Sequence, residues 1–204
     1  MNDALRNNLI KKLGKEAFNR IESAHIGLAG AGGLGSNCAA NLVRVGFRKF
    51  TIADFDKIDH TNLDRQFYFE DQVGRDKLEA LKSNLLRINP DIEIDAVRKK
   101  LERGDIEIVF SGCDAVAECF DAAEYKSMIV SELSRMQKFT VSVSGLGGIG
   151  LSDGIKVHRI RKDLVMIGDL ASDILHSPAL APRVSVAAAK QADAILEYVI
   201  KTPF

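Results

Sequence analysis

Residues 24 to 36 read AHIGLAGAGGLGS, a short apolar run followed by Gly30, Gly32, Gly33 and Gly35. A helical, alanine-containing pattern then continues to Val45, with Gly46 as its stop. A strand that turns through glycines into a helix makes a tight loop and turns the helix's first N–H groups toward any anion that enters. This arrangement predicts a parallel α/β sheet with a phosphate-accepting crevice at the strands' carboxyl ends. Asp54 lies nineteen residues beyond Gly35, in the second strand Lys49–Asp56, where a carboxylate can accept hydrogen bonds from ribose hydroxyls. Glycine loop and acid together suit NAD as well as ATP. A second glycine run, Gly145 to Gly150, also follows a strand, but the LSDGIKVHRI after it reads as another strand. With no helix N-terminus there, it is expected to be a flexible turn.

The rest of the chain supports the same architecture. Residues 3 to 20 read as a helical arm of mixed polarity. An amphipathic helix spans Asp76 to Asn89, with Leu78, Leu81, Leu85 and Ile88 on one face. Strands are expected from Ile92, over Asp114 to Phe120 and over Phe139 to Ser144, with a helix from Ala122 to Met136. Residues 105 to 113 stay open: DIEIVF alternates like a strand, yet Ser111-Gly112 can close a short helix. Gly154–Ile160 and Leu164–Ile167 read as antiparallel strands, and a long helix runs from Pro182 to about Lys201. Short links and alternating elements give an α/β, Rossmann-like, mostly parallel sheet with helices on both faces and antiparallel strands in the C-terminal part. With 204 residues and no linker, one domain over 1–204 is expected.

Formal net charge is zero, so no general attraction to nucleic acid or membrane is expected. The N-terminus lacks a signal-type apolar run and no segment has the length of a membrane span, which gives a cytoplasmic expectation. Cys38, Cys113 and Cys119 form neither a CxxC pair nor an even set, so they are read as buried structural thiols and no zinc is expected.

A polar segment, Asp54 to Gln66, separates the second strand from the amphipathic helix, which begins near Lys77. Farther on, the strand DAVAECF leads to Asp121. In an open parallel sheet the carboxyl ends of neighbouring strands line one crevice, so Asp54 and Asp121 are expected to face the glycine loop. A triphosphate needs cations on its oxygens and an acid for its magnesium. Arg65 and Lys77 are suited to the phosphates and Asp121 to the metal. Each also has a plain structural reading, as a solvated surface charge or, for Asp121, a helix cap.

At this point the chain resembles the ubiquitin-activating-enzyme superfamily, and within it the short bacterial ThiF form, which adenylates the thiamine sulfur carrier ThiS. The matching stretches are GAGGLGS (30–36), ADFD (53–56), TNLDRQ (61–66), VGRDK (73–77), ECFDAAEYK (118–126) and APRVSVAAAKQA (181–192). The resemblance implies that Gly30, Gly32, Gly33 and Gly35 cradle ATP and Asp54 holds its ribose. Asn62, Arg65 and Lys77 would bind the phosphates with Gln66 in support, and Asp121 would bind magnesium. It further implies a homodimer in which Arg6 of the N-terminal arm reaches the partner's triphosphate.

Departures narrow the expectation. The chain lacks the two CxxC pairs of many relatives, and Arg161 to Arg183, whose role stays open, contains no cysteine for a covalent link. The usual Asp-Asn pair is Asp121-Ala122 here. The expected activity is therefore adenylation of the C-terminal glycine carboxylate of a small ThiS-like carrier, with sulfur delivered by a separate donor protein. Adenylation for a molybdopterin-type carrier, a peptide or a tRNA keeps the same chemistry. An NAD-dependent oxidoreductase or a non-catalytic scaffold are the remoter alternatives.

Overall fold

The computed structural model describes residues 1–173 and 176–202. The elements run α1 (Asp3–Leu13), α2 (Lys15–Ser23), β1 (His25–Ala29), α3 (Gly33–Arg44), β2 (Lys49–Asp54), α4 (Lys77–Leu86), β3 (Glu93–Arg98), α5 (Asp105–Phe110), β4 (Ala115–Glu118), α6 (Ala123–Arg135), β5 (Phe139–Val143), β6 (Lys156–Arg161), β7 (Leu164–Gly168) and α7 (Ala181–Lys201). One sheet has the order β3-β2-β1-β4-β5-β7-β6. Pairings are parallel from β3 through β7, and β6 runs antiparallel to β7 at the edge. The antiparallel expectation for the last two strands thus holds between them, while β7 itself joins the parallel set through β5.

Burial follows position in the sheet. Central β4 and β5 are buried at every residue, and β1 at all but His25, as strands covered on both faces must be. Edge strands β3 and β6 have no buried residue. One face carries Leu34, Cys38 and Leu42 of α3, Leu78, Leu81 and Leu85 of α4, and Val184, Ala188 and Ile195 of α7. The other carries Ile106 and Phe110 of α5 with Ile129 and Leu133 of α6.

The ambiguous stretch at 105 is a helix. Ile106 and Phe110, four apart, are buried, whereas Ile108 is 78% exposed, opposite to what a strand's alternation would demand. Phe110 packs where a side chain on Gly27 would sit: a Cβ there would lie 2.7 Å from the phenyl ring. The N-terminal arm is two helices broken at Gly14 rather than one.

The second glycine run is not a loose turn. No helix follows it, as expected, but Arg183, 5% exposed near the start of α7, donates to the carbonyls of Leu146, Gly150 and Leu151. The same guanidinium reaches Asp169 Oδ2 at 2.8 Å, so the loops after β5 and β7 are joined by one side chain. Ile174 and Leu175 of the open 161–183 stretch lie outside the described residues.

Candidate nucleotide site

Strand order reverses about β1: β2 lies on one side of it and β4 on the other. The loops leaving β1, β2 and β4 therefore open into one crevice, where ligands of such sheets bind. The loop after β1 is shaped by Asp54. Its Oδ2 accepts from Ala31 N at 2.7 Å, and its Oδ1 accepts from Phe55 N and Asp56 N at 2.7 and 2.8 Å. Gly35 permits a contact nothing larger would allow, since a Cβ there would lie 1.9 Å from Gly30 O. Gly32 faces mostly open space, with only the Gln66 amide near its Cβ position. Helix α3 has Gly32 as its N-cap and receives no side-chain cap, which leaves its first-turn N–H groups for an external acceptor.

Tyr68 braces this loop against α4, donating from its hydroxyl to Ala31 O at 2.7 Å, with Lys77 O 3.3 Å away. Burial pushes the Tyr68 phenol well above its usual range, with the negative charge of Asp54 acting in the same direction. Lys77 is the first residue of α4, 6% exposed, with its ammonium 2.9 Å from Asp56 Oδ2. A buried cation at the positive end of a helix is electrostatically unfavourable unless anions are near. Asp56 supplies one such anion. Arg65 lies beside Gly33, its Cγ 3.5 Å from that residue's Cβ position, and its guanidinium rests on Thr61 O and Asp64 Oδ1 at 2.9 and 2.6 Å. Gln66 carries a buried Oε1 that has no hydrogen-bond partner.

Asn62 is engaged in a local turn, where its Oδ1 accepts from Asp59 N at 3.1 Å in a capping box. Asp121 stands three residues past the end of β4 and is exposed. It is not the cap of α6: that position belongs to Ala122, and no side chain caps the helix. Among the described residues no group of three or more His, Cys, Asp or Glu side chains is placed to hold a metal. A cation at Asp121 would need ligand oxygens to complete its shell, which is how magnesium is commonly held on phosphates.

Arg6 is not brought to this crevice within one chain. It pairs with Glu22 at 3.1 Å and lies over the Phe18 ring, which packs at Gly46 beyond the far end of α3. A helix of that length separates the two regions by roughly 18 Å. The three cysteines are buried. Desolvation pushes Cys38 up to about 12 and Cys113 to about 11, and raises Cys119 well above the ordinary thiol value. Thiols in that state are poor nucleophiles.

The ThiF family model matches residues 5–151, most of the chain and all of this crevice. The chain belongs to the ThiF family. It is 29% identical over 117 residues to the SAMP-activating enzyme E1 of Haloferax volcanii, covering 57% of this chain and 43% of that protein. It is 29% identical over 173 residues to tRNA threonylcarbamoyladenosine dehydratase 2 of Saccharomyces cerevisiae, covering 83% and 36%. This ThiF-family chain thus spans less than half the length of either relative. Its fold matches that of the E. coli tRNA N6-threonylcarbamoyladenosine dehydratase in complex with AMP, with TM-score 0.86, 20% identity and coverage of 95% and 93%. Among the described residues no helix is long and apolar enough to cross a membrane.

Some of the site escapes sequence reading. Tyr68 and Asp169 carry no motif that separates them from ordinary core or surface residues, and Arg183, though inside the 181–192 stretch, gives no sign in the sequence of its pairing with Asp169. Asp56 was visible as part of DFD, but its pairing with Lys77 depends on a fold-back that spacing does not specify.

Proposed function

We propose that this ThiF-family chain is an ATP-dependent adenylyltransferase that activates a carboxylate. The observation that carries the reading is Lys77. It is a nearly buried cation at one helix start, braced through Tyr68 to the glycine loop and the uncapped start of α3. Cation and free helix N–H groups together favour a ligand with several negative charges.

In this reading the glycine loop and the α3 N-terminus hold the phosphates. Asp54, which has acceptor capacity left after its three main-chain bonds, takes the ribose. Lys77 and Arg65 neutralise the phosphate oxygens; Arg65 leaves Asp64 to do so. Bound magnesium, with Asp121 and the phosphates as its ligands, would neutralise charge on the departing pyrophosphate. The substrate carboxylate is already an anion and needs no strong base, so catalysis rests on positioning and charge compensation. Its oxygen attacks the α-phosphorus, the bond to the bridging oxygen breaks, and an acyl-adenylate and pyrophosphate form. Dimerisation would bring the partner's Arg6 to the site.

The carboxylate's owner was expected to be a ThiS-like carrier, and the relatives widen that choice. Their names speak of SAMP activation and of threonylcarbamoyladenosine in tRNA, and the dehydratase likeness extends over more of the chain. A tRNA-borne carboxylate is therefore the second reading, and it keeps the chemistry unchanged. The test is ATP–pyrophosphate exchange, run with tRNA bearing threonylcarbamoyladenosine and, separately, with a small carrier ending in Gly-Gly. Exchange stimulated by one of them is expected, and Lys77→Ala and Arg65→Ala should each slow it by about 10²–10³. Full exchange in both folded variants would remove these residues from the site.

A further inference from the structure

Glu118 closes β4 with no exposed surface, and no motif reading assigned it a role. Its Oε1 accepts from Phe120 N at 2.7 Å and lies 3.3 Å from Lys126 Nζ. Its Oε2 accepts from Ser142 Oγ at 2.6 Å and from Lys126 Nζ at 3.1 Å. The three partners come from the loop after β4, from β5 and from α6. The main chain is held as well: Gln191 of α7, also fully buried, donates to Glu118 O at 2.9 Å and to Val141 O at 3.1 Å.

A buried ion pair of this kind adds little stability over well-packed apolar groups, so its value lies in fixed geometry. What it fixes is the point where β4 leaves the sheet. Cys119 N donates to Ala29 O at 2.9 Å, and Cys119 O lies 3.0 Å from the Cβ position of Gly30. This turn therefore forms a wall of the glycine loop. Asp121 sits between two residues held by the same carboxylate, Phe120 before it and Lys126 after it.

We propose that Glu118, with Lys126 and Ser142, is a positioning residue that sets where the Asp121 carboxylate stands. Enclosed as it is, Glu118 cannot touch a nucleotide, and it acts through the chain it anchors. This rests on the reading of the crevice as a Mg-ATP site. It predicts that Glu118 controls the magnesium-dependent part of ATP binding and spares the rest. Groups that orient metal-binding carboxylates typically change metal affinity by 10- to 100-fold when removed.

The test is calorimetric titration of the full chain with ATP, once with magnesium and once with EDTA, alongside thermal melts. Glu118→Gln is expected to weaken binding by about 10-fold with magnesium and by less than about twofold with EDTA, as Asp121→Asn should. Lys126→Met should follow the same pattern, and Lys126→Arg should restore it. Equal weakening in both buffers would show a merely structural role and overturn the assignment, as would an unchanged magnesium titration in a folded Glu118→Gln. Should that variant fail to fold, the Lys126→Met and Lys126→Arg pair decides by the same criterion. An unmodified chain that binds no ATP overturns the nucleotide reading and this assignment together. Unaltered variants of a chain that does bind Mg-ATP overturn this assignment alone.

Discussion

The Asp54 carboxylate does two things with one group: it accepts three main-chain N–H groups that shape the crevice, and in the proposed reading it also takes the ribose. Replacing it by asparagine is not a mild change. An amide NH2 would face at least one main-chain N–H, donor against donor, whichever way it turned. Asp54→Asn is therefore expected to weaken ATP by about 1.5–3 kcal/mol, the range for bonds to a charged group. Calorimetry in magnesium buffer measures it, and unchanged affinity would mean the ribose lies elsewhere. Residues such as Asp54, Arg65 and Lys77 were legible because their spacing from the glycine loop is fixed by the strands and turns between them. Asp54's hold on the main chain was not, because it depends on where Ala31 N points. Asn62 was legible as a motif residue, but its capping bond to Asp59 shows only in the fold.

At the scale of elements, the sequence showed helices and strands best where one periodicity dominated. α4, with its row of leucines, is an example. Residues 105 to 110 carried both periodicities, and the helix prevailed because it lets Ile106 and Phe110 pack together into the cluster that holds Ala29, Ala53 and Val116 of β1, β2 and β4. The loops after β5 and β7 were the least legible, since Arg183 and Asp169 meet only after α7 packs back on the sheet. Burial raises the Asp169 carboxyl, but donors from Ser172 and Ala171 and the Arg183 charge outweigh it and bring the carboxyl from 3.8 down to about 2. A depressed carboxyl stabilises the fold above its unfolded value and loses that contribution as pH falls through the folded one. The unmodified chain should therefore melt at higher temperature than Asp169→Asn at neutral pH, and the gap should close as pH falls from about 4 to about 2. Melting curves across that range check it, and a gap independent of pH would mean the ion pair is not what joins the loops.

For the whole molecule, Arg6 is held on Glu22 and Phe18, far from its own chain's crevice, so a role in the proposed site requires a partner chain. If the active form is a two-fold dimer, each crevice uses its own Lys77 and the partner's Arg6. Arg6→Ala and Lys77→Ala should then each be inactive alone, yet a refolded equimolar mixture should recover exchange at about a quarter of the sites. No recovery, or full activity of Arg6→Ala, would remove Arg6 from the site. Family membership and the parallel sheet were readable from the glycine loop, the DFD acids and NLDRQ together. The substrate was not, because the motif residues are suited to the nucleotide, which a carrier and a tRNA carboxylate would share. The central claim, that a carboxylate oxygen attacks the α-phosphorus, can be tested by supplying substrate whose carboxylate carries oxygen-18 at both oxygens and analysing the released AMP by mass spectrometry. The account predicts one heavy oxygen in each AMP, because the acyl carbon–oxygen bond breaks when the adenylate is consumed. AMP without label, formed while substrate turns over, would contradict it.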